Sequence, residues 1–371
     1  MRVLFSSELF WPHIGGAEIF ATKLLPALQT RGHELMVVTR QDSETLLAED
    51  SYQGIPVLRF PFWSAIAGRN VERVAEIRQQ LVKLKKSYRP DLVHIHGMGA
   101  HVLFHQETTA SRPTPVLVTL TNVFEGQVGA AGIVSRVLRL SSWLTCKAGA
   151  VLDQARQLVP EIIGRSSVIH NGLELSPLLP EPLPNKAPRI LCLGRLVPQK
   201  GFDLALTAFA SISKRFPHIR LVIAGDGPGR KSLEQQAARL GLVSAIDFLG
   251  WVTPDRVPAL INTASMVVMP SRWEGLPSVA LQAASMARPL VATRVGGLPE
   301  IVEHQRTGLL VEPEDPGSLA KAMTFLLEHP ETAGKLGAAG RSRVREVFSW
   351  GSCVDAYDAL YRQLAGTNIH A

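Results

Sequence analysis

Ser176-Pro177-Leu178-Leu179-Pro180-Glu181-Pro182-Leu183-Pro184-Asn185-Lys186-Ala187-Pro188 lies almost at the midpoint of a 371-residue chain and holds five prolines in thirteen positions. Each proline fixes φ and withholds a backbone donor, so neither a helix nor a central strand runs through so dense a stretch. Residues 176–188 therefore read as a linker between two domains, the number that the chain length also suggests. The domains would span residues 1–175 and 189–346.

The same alternation appears on both sides of the linker. Short runs rich in β-branched and other apolar residues are followed by amphipathic stretches of helix length. The spacing predicts strands at Val3–Ser6, Leu35–Thr39, Val57–Phe60, Leu92–His96, Val116–Thr119, Ala150–Leu152 and Val168–His170. Beyond the linker it predicts Ile190–Gly194, Leu221–Ala224, Asp247–Leu249, Met266–Met269, Leu290–Ala292 and Leu309–Val311. Apolar runs separated by helices mean parallel strands covered on both faces. Residues 17–30 carry Phe20, Leu24 and Leu28 at the spacing of a helix core stripe, with Pro26 expected to kink it. The expected fold is α/β: two Rossmann-like doubly wound domains facing a cleft. Ligands of such sheets bind at the carboxyl ends of the strands.

Composition narrows the class. With 46% hydrophobic and 19% charged residues the chain is neither disordered nor a coiled coil. Cys146, Cys192 and Cys353 are too scattered for a disulfide framework or a thiolate zinc site, which suggests a reducing, cytoplasmic setting. The sequence shows no signal peptide and no unbroken apolar run long enough to span a membrane. The net charge of +7 is spread evenly, 18 Lys/Arg against 15 Asp/Glu through residue 175 and 21 against 17 beyond it. A nucleic-acid partner would need a concentrated basic face, so none is expected. A diffuse excess suits an anionic small molecule or an anionic membrane.

Three loops could carry chemistry. Gly15-Gly16-Ala17-Glu18 opens the first helix after the first strand, where glycines let a phosphate approach the backbone amides. A tight strand-to-helix turn would look the same. Gly194-Arg195-Leu196-Val197-Pro198-Gln199-Lys200-Gly201 leaves the first strand of the second domain with two cations that could clamp a pyrophosphate. The third loop runs Pro270-Ser271-Arg272-Trp273-Glu274-Gly275-Leu276-Pro277-Ser278-Val279, with Pro277 expected as the first residue of a helix and Gln282 one turn inside it. The amides of Ser278 and Val279 would form an anion site. An acid such as Glu274 beside it makes sense if it accepts hydrogen bonds from neutral hydroxyls, and sugar hydroxyls are the obvious donors.

Together these segments resemble the retaining glycosyltransferases of family 4, which have the GT-B fold. The resemblance runs from residue 1 to about 363. It includes Asp91–His96, Val168–Gly172, Ile223-Ala224-Gly225-Asp226-Gly227-Pro228, Phe248-Leu249-Gly250, Gly296-Gly297-Leu298-Pro299-Glu300 and Phe348-Ser349-Trp350. It implies a retaining hexosyltransferase that moves a sugar from a nucleoside-diphosphate sugar to a hydroxyl acceptor, a glycan, a lipid-linked glycan or a small molecule, with no metal or other cofactor. Arg195 and Lys200 would hold the diphosphate, helped by Gly15, Gly16, Gly275, Leu276 and the amides at Ser278 and Val279. Glu274 would bind a donor-sugar hydroxyl. A helix at about 347–371 would return to the first domain, which would bind the acceptor.

Two positions depart from the family. Gln282 stands where a ribose-binding glutamate is usual. Thr121 stands where the active-site loop usually has a histidine, and it cannot supply a basic group. Asn122 can orient a hydroxyl, and His96, expected at the cleft mouth with His94 in the core, could compensate in part. His94, His96, His101 and His105 lack the neighbouring carboxylates a metal site would add. The competing readings are an impaired sugar-nucleotide-binding homologue acting in a complex and a sugar-nucleotide epimerase. Gly225-Asp226-Gly227-Pro228-Gly229 has the wrong glycine spacing for a dehydrogenase. Finally, Gly132–Lys147 reads as an amphipathic helix which, with Lys83, Lys85 and Lys86, could dock on an anionic membrane; ordinary helices with solvated basic faces are the plainer reading.

Overall fold

The computed structural model describes residues 1–43, 45–108, 113–122, 132–184 and 186–366. They form two compact units, Met1–Asn171 joined by the segment from Gly351 onward, and Gly172–Trp350.

In chain order the first unit contains β1 (Arg2–Ser7), α1 (Gly16–Thr30), β2 (Glu34–Arg40), β3 (Glu49–Tyr52), β4 (Ile55–Phe60), α2 (Phe62–Ala67) and α3 (Val71–Tyr88). It continues with β5 (Leu92–His96), α4 (Ala100–Glu107), β6 (Val116–Leu120), α5 (Ile133–Leu140), β7 (Trp143–Cys146), α6 (Gly149–Leu158) and β8 (Ser166–Val168). The strands form one sheet in the order β3-β4-β2-β1-β5-β6-β7-β8, parallel except for the β3–β4 hairpin. Their apolar residues are buried on both faces, as covered parallel strands require. Helix α1 continues through Pro26 and buries Phe20, Leu24 and Leu28.

The second unit contains β9 (Arg189–Leu193), α7 (Phe202–Ser213), β10 (Arg220–Ala224), α8 (Arg230–Arg239), β11 (Ile246–Gly250), α9 (Val257–Asn262) and β12 (Met266–Met269). After these come α10 (Ser278–Ser285), β13 (Leu290–Thr293), α11 (Leu298–Ile301), β14 (Gly308–Val311), α12 (Pro316–Glu328) and α13 (Pro330–Val347). Its sheet is wholly parallel, in the order β11-β10-β9-β12-β13-β14. Every strand expected in this half is present. The last helix, α14 (Trp350–Gly366), belongs from Gly351 on to the first unit. There His33 Nε2 meets Asp358 at 2.6 Å, Arg31 meets Asp355 at 2.5 Å, and the Tyr361 hydroxyl lies 2.5 Å from His94 Nδ1.

The structure corrects several expectations. The stretch read as a linker is anchored to the second unit, where Asn262 Nδ2 donates to the Leu179 carbonyl and buried Arg288 donates to that of Glu181. Residues 150–152 are helical, the start of α6, and the strand lies earlier, at β7. The continuous helix expected over 132–147 ends at Leu140 because Ser141 turns its hydroxyl back onto the Leu138 carbonyl and its backbone becomes extended. Lys147 is then buried rather than on a basic face. Lys85 is buried too, donating to Thr108 Oγ1 at 2.8 Å. The docking helix read from the sequence is therefore shortened to Ile133–Leu140, and Lys85 and Lys147 are withdrawn from the basic surface. Helix α14 starts at Trp350, after α13 has ended at Val347, and residues 367–371 lie outside those described. Among the described residues no helix is long and apolar enough to cross a membrane.

Candidate functional site

In the second unit the loops leaving β9, β12 and β13 are stitched together at their backbones. Gly201, at φ 63°, lies so close to Pro270 that an added Cβ would sit 2.0 Å from its carbonyl oxygen. Gly296, at φ 50°, approaches Glu274 in the same way, at 1.8 Å. Only glycine permits both the left-handed backbone and the contact. The Arg272 amide donates to the Gln199 carbonyl, Gln199 Nε2 to that of Trp273, and the Gly297 amide to that of Gly275.

This frame brings Lys200 and Glu274 together. Lys200 Nζ donates to Glu274 Oε1 at 2.6 Å, and Ser271 Oγ donates to the same oxygen at 2.7 Å. Neither bond uses Oε2, which leaves an acceptor for a ligand hydroxyl. The Glu274 side chain is only 4% exposed and that of Lys200 18%, so the pair is shielded from water on most sides. Arg272 anchors the loop by a bidentate pair to Asp203 at 2.9 and 2.8 Å. Burial works against the Asp203 carboxylate, yet the guanidinium holds it below the usual carboxylate range. Arg195 is exposed and has no ion-pair partner among the described residues.

Pro277 is the cap of α10 rather than its first residue, with φ −73° and ψ 121°. Ser278 and Val279 open the helix, where the first amides have no intrahelical acceptor. Gly275 and Leu276 are buried in the loop, and half-buried Gln282 lies on the second turn, its side chain unbonded among the described residues.

In the first unit Gly15 caps α1 and Gly16 is its first residue; a Cβ on Gly16 would meet nothing within 4 Å. His96 departs from expectation. It is not at an open mouth but buried, stacked between Phe5 and Phe20 at 5.5 and 5.7 Å. Burial, reinforced by nearby Lys147, pushes its pKa well below the ordinary histidine value, so it is neutral. His94 is in the core as expected, in a chain that runs from Tyr361 through His94 Nε2 to Thr119 at 2.7 Å and on to Thr145 at 2.6 Å. Thr121 is half-buried and Asn122 exposed.

The surroundings of two side chains were not read from the sequence. Ser271, three residues before Glu274, holds the carboxylate, and its place in the same loop was the available signal. Lys147 is 2% exposed, and its ammonium lies 4.0 Å from the Phe20 ring centre. Burial pushes it down to about 7, while Cys353 and Glu18 act the other way. Among the described residues no three His, Cys, Asp or Glu side chains are gathered as a metal site would need.

The two units are thus α/β folds built on mostly parallel sheets, the second with a buried acid and a lysine paired at its strand-exit loops. Residues 14–177 match the family described as Glycosyltransferase Family 4, and residues 180–343 match Glycosyl transferases group 1. The glycogen synthase of Mycobacterium tuberculosis is 29% identical over 395 residues, covering 97% of this chain and 94% of that protein. Sucrose-phosphate synthase from Thermosynechococcus elongatus has the same fold, with TM-score 0.84 and 21% identity over 99% of both chains. Anabaena HepE in complex with UDP-glucose follows, with TM-score 0.75 and 20% identity over 100% of both chains. The chain belongs to the GT-B glycosyltransferases of these two families, and it is a glycosyltransferase.

Proposed function

We propose that this glycosyltransferase is a retaining hexosyltransferase that uses a nucleoside-diphosphate sugar, bound by the second unit, and a hydroxyl acceptor bound by the first. The observation that carries the reading is the Lys200–Glu274–Ser271 cluster at the exits of β9 and β12. Bond breaking between the sugar C1 and the phosphate oxygen leaves negative charge on the diphosphate. Lys200, Arg195 and the amides of Ser278 and Val279 stabilise that charge as it develops, so the scheme calls for no cofactor. Glu274 Oε2 accepts from a sugar hydroxyl and fixes the ring, while Gln282 accepts from a ribose hydroxyl. The acceptor oxygen forms the new bond on the face the phosphate leaves, and its proton passes to the departing phosphate oxygen. The UDP-glucose complex of HepE supports a nucleotide sugar as donor. Exposed Lys83 and Lys86 on α3 leave room for peripheral contact with an anionic membrane.

The test is thermal-shift screening with UDP-, GDP- and ADP-glucose and GDP-mannose, followed by NMR of the product anomer. A melting point raised by one nucleotide class, with an α product from its α-linked donor, is expected. No shift with any nucleotide would overturn the donor assignment, and an inverted anomer would overturn retention.

A further inference from the structure

The loop between β1 and α1 of the first unit begins Glu8-Leu9-Phe10-Trp11-Pro12-His13, and it is tied to the end of β2 at both ends. The Glu8 carbonyl accepts from the Arg40 amide at 3.2 Å. Five residues on, His13 Nε2 lies 3.0 Å from Asp42 Oδ1, and the His13 amide closes a turn on the Phe10 carbonyl at 3.0 Å. Trp11 stands at the crown of that turn.

The side chains between these anchors are joined contact by contact. His101 Nδ1, from α4, meets Glu8 Oε2 at 3.1 Å; Arg40 donates to Glu8 Oε1 at 2.9 Å and to Asp42 Oδ2 at 3.4 Å. His101 is sealed, but the side chains of Glu8, Arg40, Asp42 and His13 are 22–31% exposed. Each oxygen of the two carboxylates takes one bond from the described residues, and a carboxylate oxygen has room for two. Burial works against the Glu8 carboxylate, yet His101 and Arg40 hold it below the usual carboxylate range, so it accepts hydrogen bonds and does not donate.

Trp11 is pinned beside this row. Buried Arg59 donates to its carbonyl at 2.8 Å, the Arg59 guanidinium lies 5.9 Å from its ring centre, and the Tyr52 ring lies 5.7 Å away. The residue is nevertheless 37% exposed. A sugar ring has an apolar C–H face that packs on an aromatic ring, and a rim of hydroxyls that give to carboxylates and take from a guanidinium. Two acids stand in the row against the single guanidinium, so a phosphate or carboxylate would be repelled where neutral hydroxyls are welcome.

We propose that the Trp11 ring and this row bind a neutral sugar ring of the acceptor. Glu8 and Asp42 accept from its hydroxyls, Arg40 donates through the N–H groups that the carboxylates leave free, and Trp11 covers its apolar face. The proposal rests on the transfer reading above and narrows its acceptor to a carbohydrate. All of these residues belong to the first unit.

Saturation-transfer NMR with methyl α-glucoside, methyl α-mannoside and maltotriose, beside glucose 6-phosphate and glucuronate, reads the binding directly. The neutral sugars should receive saturation, strongest at the protons of one ring face, and the charged ones less. Trp11→Leu and Glu8→Gln should each weaken neutral-sugar binding about fivefold or more. Trp11→Leu keeps the carbonyl that holds Arg59 and should melt with wild type, so it decides the matter even if Glu8→Gln fails to fold. No saturation of any neutral sugar, tighter binding of the charged ones, or unchanged affinity in Trp11→Leu overturns the proposal. Calorimetry with UDP, GDP and ADP separates the two readings. Nucleotide binding without sugar binding sinks this proposal alone; sugar binding without nucleotide binding sinks the donor reading alone.

Discussion

Lys200 and Arg195 leave the same strand but differ in what holds them. Lys200 is tied to a buried carboxylate, so Lys200→Met leaves Glu274 with Ser271 alone. Breaking a fully buried pair costs about 3–5 kcal/mol, and less is expected here because Lys200 is partly exposed. Arg195 touches no ionic partner among the described residues, and Arg195→Ala should change stability by no more than about 0.5 kcal/mol. Both should cut transfer by roughly 10²-fold, because each removes charge from the leaving group. Melting curves alongside initial rates check the contrast; equal losses of stability would mean that Arg195 has a structural partner. Lys147 makes a separate prediction. Its folded pKa, about 7, lies below that of an unfolded lysine, so the burial cost is fully present below pH 7 and is relieved as pH rises toward 10.5. Lys147→Met should therefore raise the melting point at pH 6.5 and lose that advantage by pH 10. A constant difference across that range would show that Lys147 is not buried as a charge.

At the scale of elements, two glycines make opposite predictions. Gly296→Ala would drive a methyl group against the Glu274 carbonyl at a left-handed φ, so it should lower both stability and activity. Gly16→Ala faces open space at the start of α1 and should leave the fold intact, while weakening nucleotide binding if a phosphate approaches there. Calorimetric titration of both variants tests this, and unchanged affinity in Gly16→Ala would remove Gly16 from the donor site. The same scale explains what the sequence made legible. Each strand of the second unit is an apolar run flanked by turn residues, and all six could be read. In the first unit β3 is polar Glu-Asp-Ser-Tyr on an edge, held by a turn with positive φ at Gln53 and Gly54, and it offers no apolar pattern. Trp143–Cys146 hid behind a helical stripe because the break depends on one serine hydroxyl. The Lys200–Glu274 contact joins positions far apart in the chain, so the residues could be named but not the bond between them.

Over the whole molecule, buried histidines are unevenly shared. His33, His94, His96 and His105 all belong to the first unit, and burial lowers the pKa of each. In the second unit His218, His304 and His329 are exposed. A histidine with a depressed folded pKa favours the native state least in acid, so stability present above the unfolded pKa of about 6.5 is lost as pH falls below it. Each such group costs about 1.4 kcal/mol per pH unit, offset at His33 by Asp358. The first unit should unfold before the second between pH 6 and 4. Limited proteolysis with peptide mapping at pH 7.5 and 5 checks this, and early cleavage confined to residues 172–350 would refute it.

Helix α14 gives the first unit its Tyr361 partner for His94 and its Asp358 partner for His33. On the ribosome it is made only after every residue of the second unit. A growing chain can thus complete its second half while the first still waits for its final helix, with the polar groups beneath that helix open to water and to chaperones. Birth order and assembly order run opposite ways. Stalled chains released at Trp350 should show a protease-resistant second unit and a digestible first one, and added α14 peptide should restore protection to the first.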